Sequence, residues 1–188
     1  MTIFLAGLAL FLGSHFFSAL ARGPRAALVA RLGEGGYKGV YSLASLAGFV
    51  LIYMGWPDAS RAVIYAPPYW LRHVAYLLVL IAFIFTAAAY VPAGRIAAAV
   101  KHPMLAGVKV WAFAHLLSNG DLRSVILFGG VLAFAVVDRI AVKRRDAPTP
   151  KAGPVTNDAI AVVVGLAGYA VTLLYLHPYI AGVALVAR

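Results

Sequence analysis

The chain predicts an all-α integral membrane protein, a bundle of about six transmembrane helices. Three observations carry that expectation. The sequence is 63% hydrophobic with 12% charged residues, about half the charged share of a soluble domain. Its mean hydropathy is +0.90. Its apolar residues fall in runs of helix length, separated by short segments rich in Arg, Lys, Gly and Pro, which is the pattern of spans and loops. The 188 residues suit one compact transmembrane domain. There is no cysteine, so neither a disulfide framework nor a thiolate metal site is available, and the redox compartment is not legible. The net charge of +10 does not point to nucleic acid, because the basic residues sit beside apolar spans.

The first span covers residues 3–20. Ala19-Leu20-Ala21 has the look of a cleavage site, but no basic segment precedes the apolar run, so it is expected to be a retained helix. His15 lies inside it, below Leu8, Phe11 and Leu12 on the same face. Residues 22–38 read as a basic connector in which Gly33, Gly35 and Gly36 bracket Glu34. No strand precedes these glycines and no Gly-Lys-Ser/Thr follows, so a tight interfacial turn is expected rather than a phosphate cradle. The second span covers residues 40–56, closed by Pro57 and Asp58. Pro67, Pro68, Tyr69 and Trp70 then form an aromatic loop suited to the membrane interface.

The third span covers residues 71–90, with Arg72 and His73 at its start. A basic connector with a helical turn at residues 96–100 follows. The fourth span, residues 104–118, is short for a bilayer; Pro103 suits its first turn, and Asn119-Gly120 ends it. It holds Lys109 and His115 at membrane depth, where ionisable groups by default mark a site or pathway. The fifth span covers residues 122–140, with Asp138 and Arg139 in its last turn. Residues 143–154, with Lys143-Arg144-Arg145 and three prolines, form a flexible linker. The sixth span covers residues 159–176, with Asn157 or Asp158 as its N-cap. His177-Pro178 near its end echoes His102-Pro103, but the surrounding spans do not repeat.

With six spans, Arg22, Arg25, Arg31, Lys38, Arg95, Lys101, Arg139, Lys143, Arg144, Arg145 and Lys151 share one side. Arg61, Arg72, Arg123 and Arg188 share the other. Eleven against four sets the first side in the cytoplasm and both termini outside it.

No Ser/His/Asp set, paired carboxylates or H-E-x-x-H motif is present, which leaves the histidines as the candidate chemistry. His73, His102 and His177 fall at span ends and suit interfacial hydrogen bonding. His15 and His115 lie deeper. Imidazole is a common axial ligand to haem iron, and a buried neutral histidine bonded to a backbone carbonyl is the competing reading. Lys109 either snorkels to the interface or pairs with Asp138 or a haem propionate. Trp111 is expected to pack.

Residues 101–121 read K-H-P-M-L-A-G-V-K-V-W-A-F-A-H-L-L-S-N-G-D, residues 32–48 L-G-E-G-G-Y-K-G-V-Y-S-L-A-S-L-A-G, and residues 127–139 L-F-G-G-V-L-A-F-A-V-V-D-R. Together these blocks resemble the NnrU family over nearly the whole chain. The resemblance implies a bacterial inner-membrane protein linked to nitrogen-oxide and denitrification metabolism, with respiratory or denitrification proteins as partners. The family is similar to the cis-zeta-carotene isomerase of plants and cyanobacteria, which implies haem b as cofactor and His15 and His115 as its ligands. The isomerase has a cysteine three residues before its second ligand; here that position is Ala112, so thiolate ligand exchange is absent. Depth favours a rival pair. His15 lies about 10 Å from the cytoplasmic end of its span and His115 about 6 Å from the outer end of its own, which makes His102 the better match to His15. A small transporter or an assembly partner of a respiratory complex, and a polyene isomerase, are the alternative functions.

Overall fold

A computed structural model gives the fold and describes residues 1–185. Arg188, counted above on the outer side, lies outside the described residues. The helices are α1 Thr2–Leu20, α2 Arg22–Gly55, α3 Leu71–Ala87, α4 Arg95–Val100, α5 Pro103–Ser118, α6 Leu122–Arg144 and α7 Val155–Val171. A π-helical turn, Thr172–Leu176, then leads into α8, His177–Ala181. Among the described residues there is no β-strand, only an isolated bridge between Val63 and Asp121. The all-α expectation holds.

Among the described residues four stretches are long and apolar enough to cross a membrane: α1, α2, α6 and the continuous run Val155–Ala181. Leu71–Ala87 is a shorter apolar helix, and α5 has 16 residues, about 24 Å at 1.5 Å per residue. Outward faces are apolar: Leu43 is 68% exposed and Val163 65%. Such faces are unsuited to water and suited to lipid.

The connector expected at residues 22–38 is helical. Ala26, Ala27 and Ala30 favour helix, and Pro24 falls in the first turn, where its missing N–H costs no bond. Only Gly33 leaves the helix, at φ 74° and ψ 165°, a conformation open to glycine and strained for other residues. The chain also bends at Ala21, at φ −85° and ψ 63°. Residues 22–32 thus form a separate helical arm between two breaks.

The structure divides into two compact units, Met1–Tyr65 with Gly120–Arg145, and Ala66–Asn119 with Asp146–Arg188. In the first unit α1 packs along α2 and against α6. The α1–α2 pair is antiparallel and close. A Cβ at Gly48 would lie 2.7 Å from the Phe11 nitrogen, one at Gly7 2.7 Å from Leu51 Cβ, and one at Gly55 2.7 Å from Phe4 Cα. Small residues permit this backbone approach, the usual basis of helix association in membranes. Phe4, Leu8, Ile52 and Ala59 form the core beside it.

One end of this unit is tied by polar contacts. The N-terminal ammonium donates to the Asp58 carbonyl at 3.1 Å. Ile64 N–H donates to the Gly120 carbonyl, and Leu122 N–H to the Ala62 carbonyl, each at 2.8 Å. Asp121 caps α6, accepting from Ser124 N–H at 3.1 Å and Ser124 Oγ at 2.7 Å. Arg123 donates to the Trp56 carbonyl at 2.6 Å, with its guanidinium 4.3 Å from the Trp56 ring centre. The N-terminus, the loop after α2 and the start of α6 therefore lie together.

In the second unit α3 packs against α5 and α7. The N-cap of α7 is Pro154, not Asn157 or Asp158 as expected from sequence. Those side chains are engaged across the unit instead. Asp158 accepts from Arg95 N–H at 3.0 Å and Ile96 N–H at 2.9 Å, and Asn157 donates to the Ala93 carbonyl at 2.9 Å. Asp158 thereby caps α4, where a carboxylate also meets the positive helix end. Asp158→Ala should cost about 1–2 kcal/mol, the usual loss for a removed cap. Thermal melting of the detergent-solubilised variant measures it.

Candidate functional site

His15 projects from α1 between three aromatic rings. Its centroid lies 4.3 Å from Phe11, 5.4 Å from Tyr41 of α2 and 5.2 Å from Phe134 of α6. Its Nδ1 is 2.7 Å from the Phe11 carbonyl, one helical turn back. A carbonyl only accepts, so Nδ1 carries the proton and Nε2 of the neutral ring keeps its lone pair. The bonds of His15 are all at Nδ1. Ser14 Oγ donates to the same carbonyl at 2.8 Å and lies 3.3 Å from Ser45 Oγ. These polar contacts and the ring packing hold the imidazole in one orientation.

His115 repeats the device on α5. Its Nδ1 is 2.8 Å from the Trp111 carbonyl, and its ring centroid is 4.7 Å from that of Trp111, at 50°. Trp111 thus packs obliquely on the histidine. Asn119 donates to the His115 carbonyl at 2.9 Å, closing the helix end. Ala112 is fully buried, as is Ala114.

The other histidines have distinct surroundings. His102 is the N-cap of α5, where its carbonyl accepts from Ala106 N–H at 2.9 Å. It lines a groove of about 340 Å³ with Lys101, Pro103, Met104 and Pro150. His177 Nδ1 is 2.8 Å from the Val183 carbonyl. His73 is exposed at the start of α3, between Tyr69 and Tyr76. Beside it the Arg72 guanidinium lies 4.5 Å from the Tyr69 ring centre, an interfacial aromatic cluster.

His15 belongs to the first compact unit, and Lys109, His102, His115 and His177 to the second. Among the described residues no group of three or more His, Asp or Glu could hold a free metal ion. A porphyrin iron needs only one or two protein ligands, and two imidazoles with Nε2 lone pairs have the chemistry for it.

Asp138 takes a different partner from the one weighed above. Its carboxylate lies 3.4 Å from Arg145 Nη2, with both side chains about one-fifth exposed. The reason is the length of α6. The helix continues to Arg144, past residue 140, and two turns bring position 145 over position 138. Lys109 makes no ion pair among the described residues, as expected of a snorkelling lysine. Asp138→Asn should lower stability by about 1–2 kcal/mol, between the values for exposed and buried pairs. Lys109→Met should leave stability unchanged. Parallel melting curves in detergent check both.

Sequence reasoning located His15 and His115 but not the walls of the His15 site. Tyr41, Ser45 and Phe134 fall within the blocks that carry the family resemblance, but nothing in those blocks ties them to His15; only the packing of α2 and α6 on α1 does.

Spanning-length helices, apolar outward faces and polar groups gathered at helix ends define a multi-pass α-helical membrane protein. The family model described as NnrU protein matches residues 3–185, and the chain belongs to the NnrU family. No match is found among curated proteins or solved structures.

Proposed function

We propose that this NnrU protein binds haem b, with the His15 and His115 imidazoles as its candidate ligands, and serves nitrogen-oxide redox metabolism in the bacterial inner membrane. The observation that carries the reading is the shared anchoring of both rings. Each Nδ1 donates to the carbonyl four residues back on its own helix, which fixes the tautomer whose Nε2 has the lone pair a metal requires. Phe11, Tyr41 and Phe134 around His15 offer a porphyrin an apolar, aromatic wall. Lys109, a cation without an acidic partner among the described residues, is suited to meet a propionate. His102 remains the rival second ligand. Bound haem would supply a one-electron couple, tuned by its ligands and the polarity around it. The test is an absorption spectrum of the purified chain with and without added haem. Sharp low-spin bands on reduction support the reading; failure both to retain and to take up haem overturns it.

The reading extends to orientation, with both termini outside the cytoplasm. The N-terminus, the 56–65 loop and the start of α6 are bonded together at one end of their unit. Residues 93–96 are bonded to Asn157 and Asp158 at the basic end of theirs. These contacts agree with the alternation expected from the loop charges. Because the chain lacks cysteine, single cysteines at Ala66 and Thr149 report sides cleanly. A membrane-impermeant thiol reagent applied to intact cells should label Ala66→Cys and spare Thr149→Cys. The opposite pattern would invert the assignment.

A further inference from the structure

The arm at residues 22–32 has no role in the candidate haem site. No residue from 22 to 36 is buried, unlike the spans on either side. The breaks at Ala21 and Gly33 release it from both, so it does not continue either span. At 1.5 Å per residue it extends about 16 Å from the end of α1, where the chain leaves the membrane. It carries Arg22, Arg25 and Arg31 and no acid. The first acid beyond it, Glu34, is paired with Lys38 at 3.2 Å. The arm also exposes Leu28 at 38% and Leu32 at 49%. A helix with exposed leucines and unopposed arginines, beginning where a span ends, is built for a bilayer surface. The Arg25 guanidinium lies 5.5 Å from the ring centre of Tyr37, a contact that ties the arm back to the base of α2.

We infer that residues 22–32 are an interfacial arm that gathers anionic phospholipid headgroups, through Arg22, Arg25 and Arg31, around the basic end of the α1–α2 hairpin. Charge complementarity selects the partner. Three cations without a local acid attract a phosphodiester carrying net negative charge and gain little from a zwitterionic headgroup. Leu28 and Leu32 fix the depth of the arm by entering the acyl boundary. Attraction of this kind weakens with salt, because exposed charges are screened within about 10 Å at 0.1 M.

The absence of native cysteine makes the test direct. The full chain carrying Ala27→Cys, labelled with a fluorophore, is reconstituted in phosphatidylcholine vesicles. A quencher-labelled lipid is added at a fixed low fraction, either phosphatidylglycerol or phosphatidylcholine. The anionic quencher should be enriched around the label about tenfold over the neutral one at low salt. The enrichment should fall toward unity in 1 M salt and in the triple variant Arg22→Gln, Arg25→Gln, Arg31→Gln. The corresponding triple lysine variant should retain it, which separates charge from loss of fold. Equal quenching by the two lipids in the unsubstituted arm, or full enrichment in the glutamine variant, would overturn the inference. Neither outcome bears on haem binding.

Discussion

Loss of the low-spin haem spectrum is the expected result for His15→Ala and for His115→Ala. Under the proposed reading each would remove one of the two imidazole nitrogens that would hold the iron. The reduced bands should broaden and shift in both variants, and the affinity for added haem should fall by tenfold or more, in the range seen when the support of a metal site is removed. His73→Ala and His177→Ala should leave the bands intact. His102→Ala decides between geometries. A normal spectrum there supports His115 as the second ligand, whereas loss there with a normal His115→Ala makes His102 the ligand. Added imidazole should restore low-spin bands to the ligand variants, since the vacated position can accept a free ring. A variant that melts like the parent and still shows unchanged bands would remove that histidine from the site.

The second large effect concerns the α1–α2 hairpin. Gly55→Ala should cost about 1–3 kcal/mol, the range for overpacking a close contact. Its added Cβ would meet the backbone of Phe4, and backbone cannot rotate away as a side chain can. Gly48→Ala should behave alike, with its Cβ 2.9 Å from Phe11 Cα. That variant should also disturb the histidine site, because Phe11 supplies both the carbonyl and the ring that hold His15. Gly13→Ala is the contrast: nothing lies within 4 Å of its added Cβ, and alanine favours helix by about 1 kcal/mol. Detergent melting should rank Gly13→Ala at or above the parent and the other two clearly below. Equal melting for all three would mean that the hairpin does not rely on this close approach.

The apolar runs announced the all-α membrane fold, because a span must satisfy its backbone internally and face lipid with its side chains. Helix ends were less legible. Glycine density around Gly33 suggested a turn through the whole 22–38 stretch, yet alanines and arginines hold a helix there and the break is confined to one residue. Asn157 and Asp158 look like a cap for α7 because short polar side chains commonly bond their own helix. Their hydrogen bonds go to the Ala93–Ile96 connector, a choice that only the tertiary fold sets. Asp138 shows the same limit, for its pairing with Arg145 depends on about one more helical turn than the apolar run implied. The histidines were visible as ionisable groups in apolar surroundings. Their tautomers were not, because the carbonyls that fix them belong to backbone that every sequence shares.

The π-helical turn ahead of His177 sets the phase of everything beyond it. His177 N–H bonds to the Thr172 carbonyl, five residues back, so one extra residue is wound into that turn. The helix downstream is rotated by about 100° relative to an uninterrupted α-helix. The seam that Ala161 and Gly165 present to α3 does not run on in register into residues 177–181. His177-Pro178 and His102-Pro103 therefore share letters but not position: one pair rides inside a rewound helix, and the other opens a new one. Deleting a single residue from 172–176 would turn His177 by a quarter of the helix circumference while leaving the composition of the segment almost unchanged.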